Sequence, residues 1–152
     1  MAFQKTILVL GALFFTAPAE ATDRFEELYC LAKNIYFESR NQPKLGQIAV
    51  GQVTMNRVNS PKFPNSVCGV VKQGGEKRHR CQFSWYCDGK KDEPEGDVAW
   101  DESVYLALLI YSEEFTIDVT EGALWYHATY VSPSWAEHYE KTVRINEHIF
   151  YR

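Results

Sequence analysis

The feature that most constrains this chain is an apolar helical segment that ends at a single acidic residue. Leu31, Ile35 and Glu38 are spaced at i, i+4 and i+7, so they share one edge of a predicted helix that cannot continue through Pro43. Apolar and aromatic residues flank that edge, and burial among such side chains favours the protonated form of a carboxyl. Because a carboxyl that stays protonated near neutral pH can act as a general acid, Glu38 is the candidate catalytic residue. The alternative is an exposed Glu at a frayed helix end.

The first 21 residues have the layout of a secretory signal peptide. Lys5 precedes an apolar run at positions 7–15, and small residues at 19 and 21 end the segment. The run is too short to span a bilayer. We therefore predict a cleaved signal peptide at 1–21 and one globular domain at 22–152, exported to the periplasm or the extracellular cell wall without stable membrane insertion. An uncleaved membrane anchor is the alternative.

The cysteines Cys30, Cys68, Cys81 and Cys87 indicate two disulfides in an exported chain, and the sequence does not choose among the three pairings. A zinc site is disfavoured because no close Cys-x-x-Cys pair and no His-Glu-x-x-His signature exists. We therefore expect no metal and no cofactor. A peptidase dyad of Cys87 and His127 would require an unpaired thiol in an oxidising compartment, which counts against it.

Charge is divided unevenly along this chain of formal net charge −4. Residues 22–91 contain 12 Lys/Arg and 6 Asp/Glu, whereas residues 92–152 contain 3 and 13. Such asymmetry is typical either of a surface that steers a charged polymer or of two solvated faces that attract each other. The basic cluster at 77–80 is too short, in a chain this acidic, to indicate nucleic-acid binding.

Hydrophobic patterning predicts a mostly helical domain with a few extended segments. The predicted helices cover about residues 23–40, 44–59, 66–72, 98–115 and 135–142. Asp23 is the expected cap of the first helix, and Gly51 predicts close packing of the second. The expected inner face of the fourth consists of Trp100, Val104, Ala107, Leu108 and Tyr111. Residues 73–97 are typical of a loop or small β-hairpin, and 123–131 and 148–151 of extended chain.

Many aromatic residues fall in the predicted loops and extended segments. They are Trp85, Tyr86, Trp125, Tyr126, Tyr130 and Trp135. Aromatic faces stack well on sugar rings, so the group as a whole, beside an acid at a helix end, favours a carbohydrate cleft. Any one of them is better explained as a core residue.

Glycoside cleavage normally uses two carboxyls, and the sequence places no fixed partner beside Glu38. The acidic residues of the 73–97 loop are expected to be solvated. One route needs a single carboxyl, which first protonates the leaving oxygen and then acts as a base on the sugar's own 6-hydroxyl. This chemistry, which yields a 1,6-anhydro sugar, is that of lytic transglycosylases.

From about Cys30 to Tyr151 the sequence resembles the SleB-type cell wall hydrolases, a family that includes spore-cortex-lytic enzymes. The segments that carry the resemblance are 32–40, 46–50, 53–58, 63–71, 82–85, 122–127 and 148–151. The resemblance implies a mostly helical α+β fold, lysozyme-like or lytic transglycosylase-like, with a small β-containing lobe. It also implies a peptidoglycan hydrolase that cuts glycan strands between N-acetylmuramic acid and N-acetylglucosamine.

The family's catalytic glutamate, in a Glu-Ala-Arg-Gly type motif, maps onto Glu38. This chain departs from that motif with Ser39 and Asn41, which leaves the local turn open to question. The resemblance further implies substrate-binding roles for Gln82, Ser84, Trp85, Tyr126 and His127. An N-acetylmuramoyl-L-alanine amidase, cutting the sugar–peptide bond, is the second interpretation, and a non-catalytic binding module is the third. The hydrolytic or anhydro-forming outcome, the biological role and the oligomeric state are left open.

Overall fold

The computed structural model describes residues 19–78 and 80–152, and within them it is mostly helical with one small sheet. The helices are α1 (Ala19–Ser39), α2 (Lys44–Val58), α3 (Val67–Val71) and α4 (Val98–Tyr111), and 3₁₀ turns span Ser84–Cys87 and Ser134–His138. The strands are β1 (Trp125–Ala128), β2 (Lys141–Ile145) and β3 (His148–Tyr151). The predicted mostly helical α+β fold with a small β-containing lobe is confirmed.

Helix α1 is the centre of the main core. Leu31 and Ile35 are completely buried where α1 packs against α2, α3 and α4. The contact with α2 and α4 is close at Gly51, where an added Cβ would lie 2.5 Å from the Ile110 side chain and 3.1 Å from that of Ile35. The close packing predicted from Gly51 is therefore confirmed, and its reason is that three helices converge at this point.

The antiparallel sheet, with strand order β1-β3-β2, packs against the other side of α2. Ala49 and Val53 of α2 form a second buried cluster with Ile145 of β2 and Phe150 of β3. In the sheet, Tyr126 of β1 is opposite Phe150 of β3. This packing brings β1 to the C-terminal end of α1, and so positions the site described below.

Two disulfides join all four cysteines. Cys30 of α1 is bonded to Cys68 of α3, and Cys81 to Cys87 within the 73–97 loop. The structure thus selects one of the three pairings. The alternative dyad of Cys87 and His127 is ruled out because that cysteine carries no free thiol.

Several sequence expectations for individual elements are wrong. Asp23 is not a cap, since α1 already includes it. Helix α4 ends at Tyr111, and the chain turns through Glu113 in a left-handed conformation with φ 59°. Its buried residues are Ser103, Leu106, Ala107 and Ile110. Val104 and Leu108, which were expected to face inward, are 43% and 51% exposed.

Of the two forms expected for residues 73–97, a loop or a small β-hairpin, the described residues 73–78 and 80–97 form the loop, with a 3₁₀ turn closed by the short disulfide. The C-terminal region differs from expectation. The last predicted helix is shortened to the 3₁₀ turn before Tyr139, and Lys141 instead pairs with Tyr151 in the sheet. Ladder hydrogen bonds to β3 outweigh the weak local helical preference there.

The predicted signal peptide at 1–21 lies outside the described residues except for positions 19–21, which begin α1. Over 19–78 and 80–152, none of the helices has both the length and the apolar character required to cross a membrane.

Candidate functional site

A cavity of about 490 Å³ lies where the C-terminal ends of α1 and α2 meet the sheet. Its lining consists of Glu38, Arg57, Cys81, Gln82, Phe83, Ser84, Trp125, Tyr126, Trp135 and Tyr139. In the described part of the chain, Glu38 is the one carboxyl in this lining. The cavity therefore combines a single acid with one cation and a wall of aromatic rings.

The end of α1 places Glu38 in the lining of this cavity. The Ser39 hydroxyl donates a 2.8 Å hydrogen bond to the Ile35 carbonyl one turn back, and the Gln42 amide closes the turn onto the Ser39 carbonyl. The buried Ser39 thus satisfies its own hydroxyl inside the helix. Asn41 is not among the described residues with positive φ, so neither departure from the family motif strains the turn.

The Glu38 carboxyl is largely enclosed, and this environment controls its ionisation. Burial raises the pKa of Glu38 above its usual value, because a desolvated carboxylate is destabilised. The hydrogen bond from Tyr126 and the positive charge of Arg57 lower that pKa, but by less than burial raises it. Burial therefore biases Glu38 toward its protonated form, and Tyr126 and Arg57 favour the carboxylate.

Tyr126 lies in the middle of β1 and donates its hydroxyl proton to Glu38 Oε2 at 2.8 Å. Its ring is fixed between Phe150 and His148 of β3, with centroid separations of 5.6 and 5.2 Å. Burial, and then the neighbouring Glu38, raise the pKa of Tyr126 well above its usual value. This shift favours the protonated hydroxyl, which is the form that donates to Glu38.

An aromatic wall forms the other side of the cavity. The rings of Trp125 and Tyr139 stack at 3.9 Å with an interplanar angle of 26°, and Trp135 meets Tyr139 edge-on at 6.1 Å. The Lys62 ammonium lies 5.6 Å from the Trp125 ring centroid. Rigid aromatic faces beside a carboxyl suit the apolar faces of sugar rings.

Of the predicted substrate-binding residues, the structure brings Gln82, Ser84 and Tyr126 together with Glu38 in one cavity. It places Trp85 elsewhere. That indole is 8% exposed, stacks on Phe37 at 4.7 Å, and donates its N–H to Asn34. Trp85 therefore supports the underside of α1 and does not line the Glu38 cavity.

His127 is also outside the lining, on the opposite face of β1 from Tyr126. Its Nδ1 lies 2.9 Å from the Ala128 carbonyl oxygen and its Nε2 lies 2.9 Å from the Tyr151 hydroxyl. Since a carbonyl can only accept, Nδ1 donates, and Nε2 of the neutral ring accepts from the tyrosine. Both ring nitrogens are thus engaged within the sheet.

Four acidic residues of the 73–97 loop border a separate cavity of about 320 Å³. Asp88, Asp92 and Glu93 lie there beside Phe37 and Arg40. None of them lines the Glu38 cavity, so they supply no second carboxyl to it. Across the described ranges, 19–78 and 80–152, no group of three or more His, Cys, Asp or Glu side chains is arranged to hold a metal ion.

Sequence reasoning did not identify Arg57 or Tyr139 as site residues. A signal for Arg57 existed, because it is a basic residue in the last turn of a helix whose preceding turns carry the apolar residues Ala49, Val50 and Val53. For Tyr139 there was none, since its role depends on stacking against a residue 14 positions earlier (139 − 125 = 14).

Comparison with known proteins gives concordant results. Residues 41–151 match the family model described as Cell Wall Hydrolase. The spore cortex-lytic enzyme of Bacillus subtilis is 49% identical over 45 residues, 30% of this chain and 15% of that protein. That of Halalkalibacterium halodurans is 43% identical over 54 residues, 36% of this chain and 16% of that protein. The matched segments span less than a fifth of these relatives.

Two solved structures share the fold over most of their length. The crystal structure of the catalytic domain of the Bacillus cereus SleB protein superposes with a TM-score of 0.65 and 29% identity, covering 84% of this chain and 91% of that one. The catalytic domain of the germination-specific lytic transglycosylase SleB from Bacillus anthracis gives a TM-score of 0.64 and 30% identity, covering 83% and 93%.

Proposed function

Because this chain belongs to the Cell Wall Hydrolase family, we propose that it degrades peptidoglycan by cutting the glycan strand between N-acetylmuramic acid and N-acetylglucosamine, as a lytic transglycosylase. The observation that best supports the reaction type is the cavity with Glu38 as its one carboxyl within the described residues, hydrogen-bonded to Tyr126. A hydrolytic mechanism with two carboxyls would need a second acid in the lining. The predicted signal peptide would carry the enzyme to this substrate.

In the first step, protonated Glu38 acts as the general acid. It donates its proton to the glycosidic oxygen, and the C1–O bond of the muramic acid breaks with its electron pair going to that oxygen. The leaving N-acetylglucosamine ends in a hydroxyl, and C1 becomes cationic. The Glu38 carboxylate formed here accepts the hydrogen bond of Tyr126, which strengthens because its acceptor is now charged.

In the second step, the Glu38 carboxylate acts as the base. It removes the proton of the muramic acid 6-hydroxyl, and O6 forms a bond with C1. The product is a 1,6-anhydro ring, no water is consumed, and Glu38 returns to its protonated state. One carboxyl therefore completes the cycle, provided that the cavity stabilises both of its ionisation states.

The aromatic wall supplies sugar-binding surface for this reaction. Trp125 and Tyr139 line the cavity together with Glu38, and the exposed Gln82 and Ser84 add polar side chains to the same lining. A sugar that stacks on the wall would lie against the carboxyl, with hydrogen-bonding groups on its other edge.

Digestion of purified peptidoglycan with the protein, followed by mass spectrometry of the fragments, tests the proposal. We expect fragments that end in 1,6-anhydromuramic acid. Glu38→Gln should fold normally and lose 10²-fold or more in rate, on the order of a general acid's contribution. Glu113→Gln, at an exposed carboxyl after α4, is the matched control and should be as active as the wild type.

Other fragment patterns would contradict the proposal in distinct ways. Reducing muramic acid ends would indicate hydrolysis, and free stem peptides would indicate the amidase. Near-normal turnover by Glu38→Gln would exclude the single-acid mechanism whatever the fragments were.

A further inference from the structure

Arg57 carries a positive charge into the interior with few partners. The residue is 2% exposed, yet its side chain donates one hydrogen bond, from Nε to the Leu124 carbonyl at 2.7 Å. Its Nη1 is buried without a hydrogen-bond partner, and the described ion pairs do not include it. An uncompensated buried charge is among the most unfavourable features that a core can contain.

The surroundings of Arg57 do not remove this cost. Phe63 and Phe83 lie on its faces, with ring centroids 5.3 and 5.0 Å from the guanidinium carbon. Cation–π contacts of this kind offset part of the desolvation. Burial still lowers the pKa of Arg57 to about 10, which leaves the group charged at neutral pH.

The position of Arg57 in the Glu38 cavity indicates a role for its positive charge. The residue lines the Glu38 cavity, and its bond to Leu124 fixes the chain two positions before Tyr126. It therefore lines the same cavity as the carboxyl that Tyr126 contacts from β1. While Glu38 is protonated the cation has no counter-charge, and when Glu38 is ionised it has one.

Resting on the proposed function, we infer that Arg57 is a positioning residue whose buried charge compensates the carboxylate that Glu38 becomes between its acid and base steps. The cost of burying Arg57 is then offset in the intermediate, where the negative charge appears. Stabilisation of this kind acts on the charged intermediate more than on the resting enzyme, which is what accelerates a reaction.

The other titratable groups around this pair do not supply that charge. Burial favours the protonated Tyr126 hydroxyl, as described above. His148 of β3 adjoins the Tyr126 ring. Burial lowers the pKa of His148, the charge of Glu147 raises it by less, and His127 lowers it further. Lys62 lies over Trp125 at the other wall.

The test measures the titration midpoint of the Glu38 carboxyl in the whole protein, using its ¹³C NMR signal across a pH series. Arg57→Met removes the charge and keeps an apolar stem, and Arg57→Lys keeps the charge. We expect the titration midpoint to rise by about 1 pH unit or more in the Met variant, the range for loss of an opposite neighbouring charge. In Arg57→Lys the midpoint should rise by no more than about half of that shift.

Activity provides the second readout. The pH at which kcat/KM falls on the basic side should move upward by the same amount in Arg57→Met, with kcat reduced at least tenfold, and Arg57→Lys should restore both. A purely structural role would lower activity at all pH values and leave the midpoint in place. An unmoved midpoint in folded Arg57→Met overturns the inference.

A measurement on the unmodified protein covers the case in which Arg57→Met does not fold. The side-chain ¹⁵N signals of Arg57 should shift with the midpoint of the Glu38 titration, and signals that do not respond would overturn the inference. The two proposals also fail separately. If Arg57→Met raises the Glu38 midpoint but the wild-type protein does not cleave peptidoglycan, the proposed function is overturned. If the wild type cleaves peptidoglycan but Arg57→Met leaves the midpoint unmoved, the role of Arg57 is overturned.

Discussion

Replacing Tyr126 with Phe would remove one hydroxyl from the site and leave the ring in place. The ring packs against Phe150 and His148, contacts that Phe retains. What is lost is the 2.8 Å hydrogen bond to Glu38, which stabilises the carboxylate more than the protonated acid. The variant thus separates the electrostatic role of Tyr126 from its packing role.

The size of the effect follows from that one bond. A hydrogen bond to a charged group contributes about 1.5–3 kcal/mol, and one pH unit corresponds to about 1.4 kcal/mol. The proton should therefore leave Glu38 at a pH roughly 1–2 units higher than in the wild type. Because the proposed acid step requires protonated Glu38, the basic limb of kcat/KM should move upward by that amount. The maximal kcat should fall about tenfold, since the charged intermediate is less stable.

The assay is the loss of turbidity of purified peptidoglycan, measured at subsaturating substrate from acidic to alkaline pH. Tyr130→Phe is the matched control, because Tyr130 follows β1 and is 82% exposed. Its profile should overlay that of the wild type. A Tyr126→Phe profile with an unchanged or lowered basic limb, in a protein with a normal near-UV spectrum, would refute the assignment of Glu38 as the acid.

Two further predictions concern stability. Burial raises the pKa of Glu38 in the folded state above that in the unfolded state. The contribution of Glu38 to the free energy of unfolding is therefore complete below the unfolded-state pKa. That contribution is lost as the pH rises through the folded-state pKa. Glu38→Gln should therefore gain stability over the wild type as pH increases, and parallel urea midpoints at all pH values would contradict this. The chain-entropy model predicts how much each disulfide adds to the free energy of unfolding. Removing the Cys30–Cys68 bridge, which joins residues 38 positions apart in sequence, should cost about 4 kcal/mol. Removing Cys81–Cys87, which joins residues 6 positions apart, should cost about 2 kcal/mol. Urea denaturation of the two double-Ala variants would measure both losses, and the reverse order would be inconsistent with the pairing.

Local pattern was sufficient to predict where Glu38 lies. The spacing of Leu31, Ile35 and Glu38 depends only on helical periodicity, and Pro43 marks the end of the helix within the same short segment. The structure accordingly has α1 ending at Ser39 with Leu31 and Ile35 in the core. Features that depend on residues close in sequence are the ones that a pattern can specify.

Features set by distant contacts were not predictable in this way. Helix α4 has apolar residues on more than one side, so periodicity could not decide between Val104 and Leu106 as the inward position. Packing against α1 made that choice. Likewise, the family resemblance covers both Ser84 and Trp85, and only the 3₁₀ turn determines that the first lines the cavity while the second is buried beneath α1.

The site is best understood as a balance between opposing influences on one carboxyl. Burial alone would hold Glu38 protonated and make it a good acid but a poor base in the second step. Tyr126, 88 residues away in sequence, and Arg57 on α2 act in the other direction by stabilising the carboxylate. A reaction that uses the same group first as acid and then as base requires neither influence to dominate strongly. Tyr126→Phe and Arg57→Met each remove one of the two groups that stabilise the carboxylate, and both should therefore shift the same limb of the pH profile in the same direction.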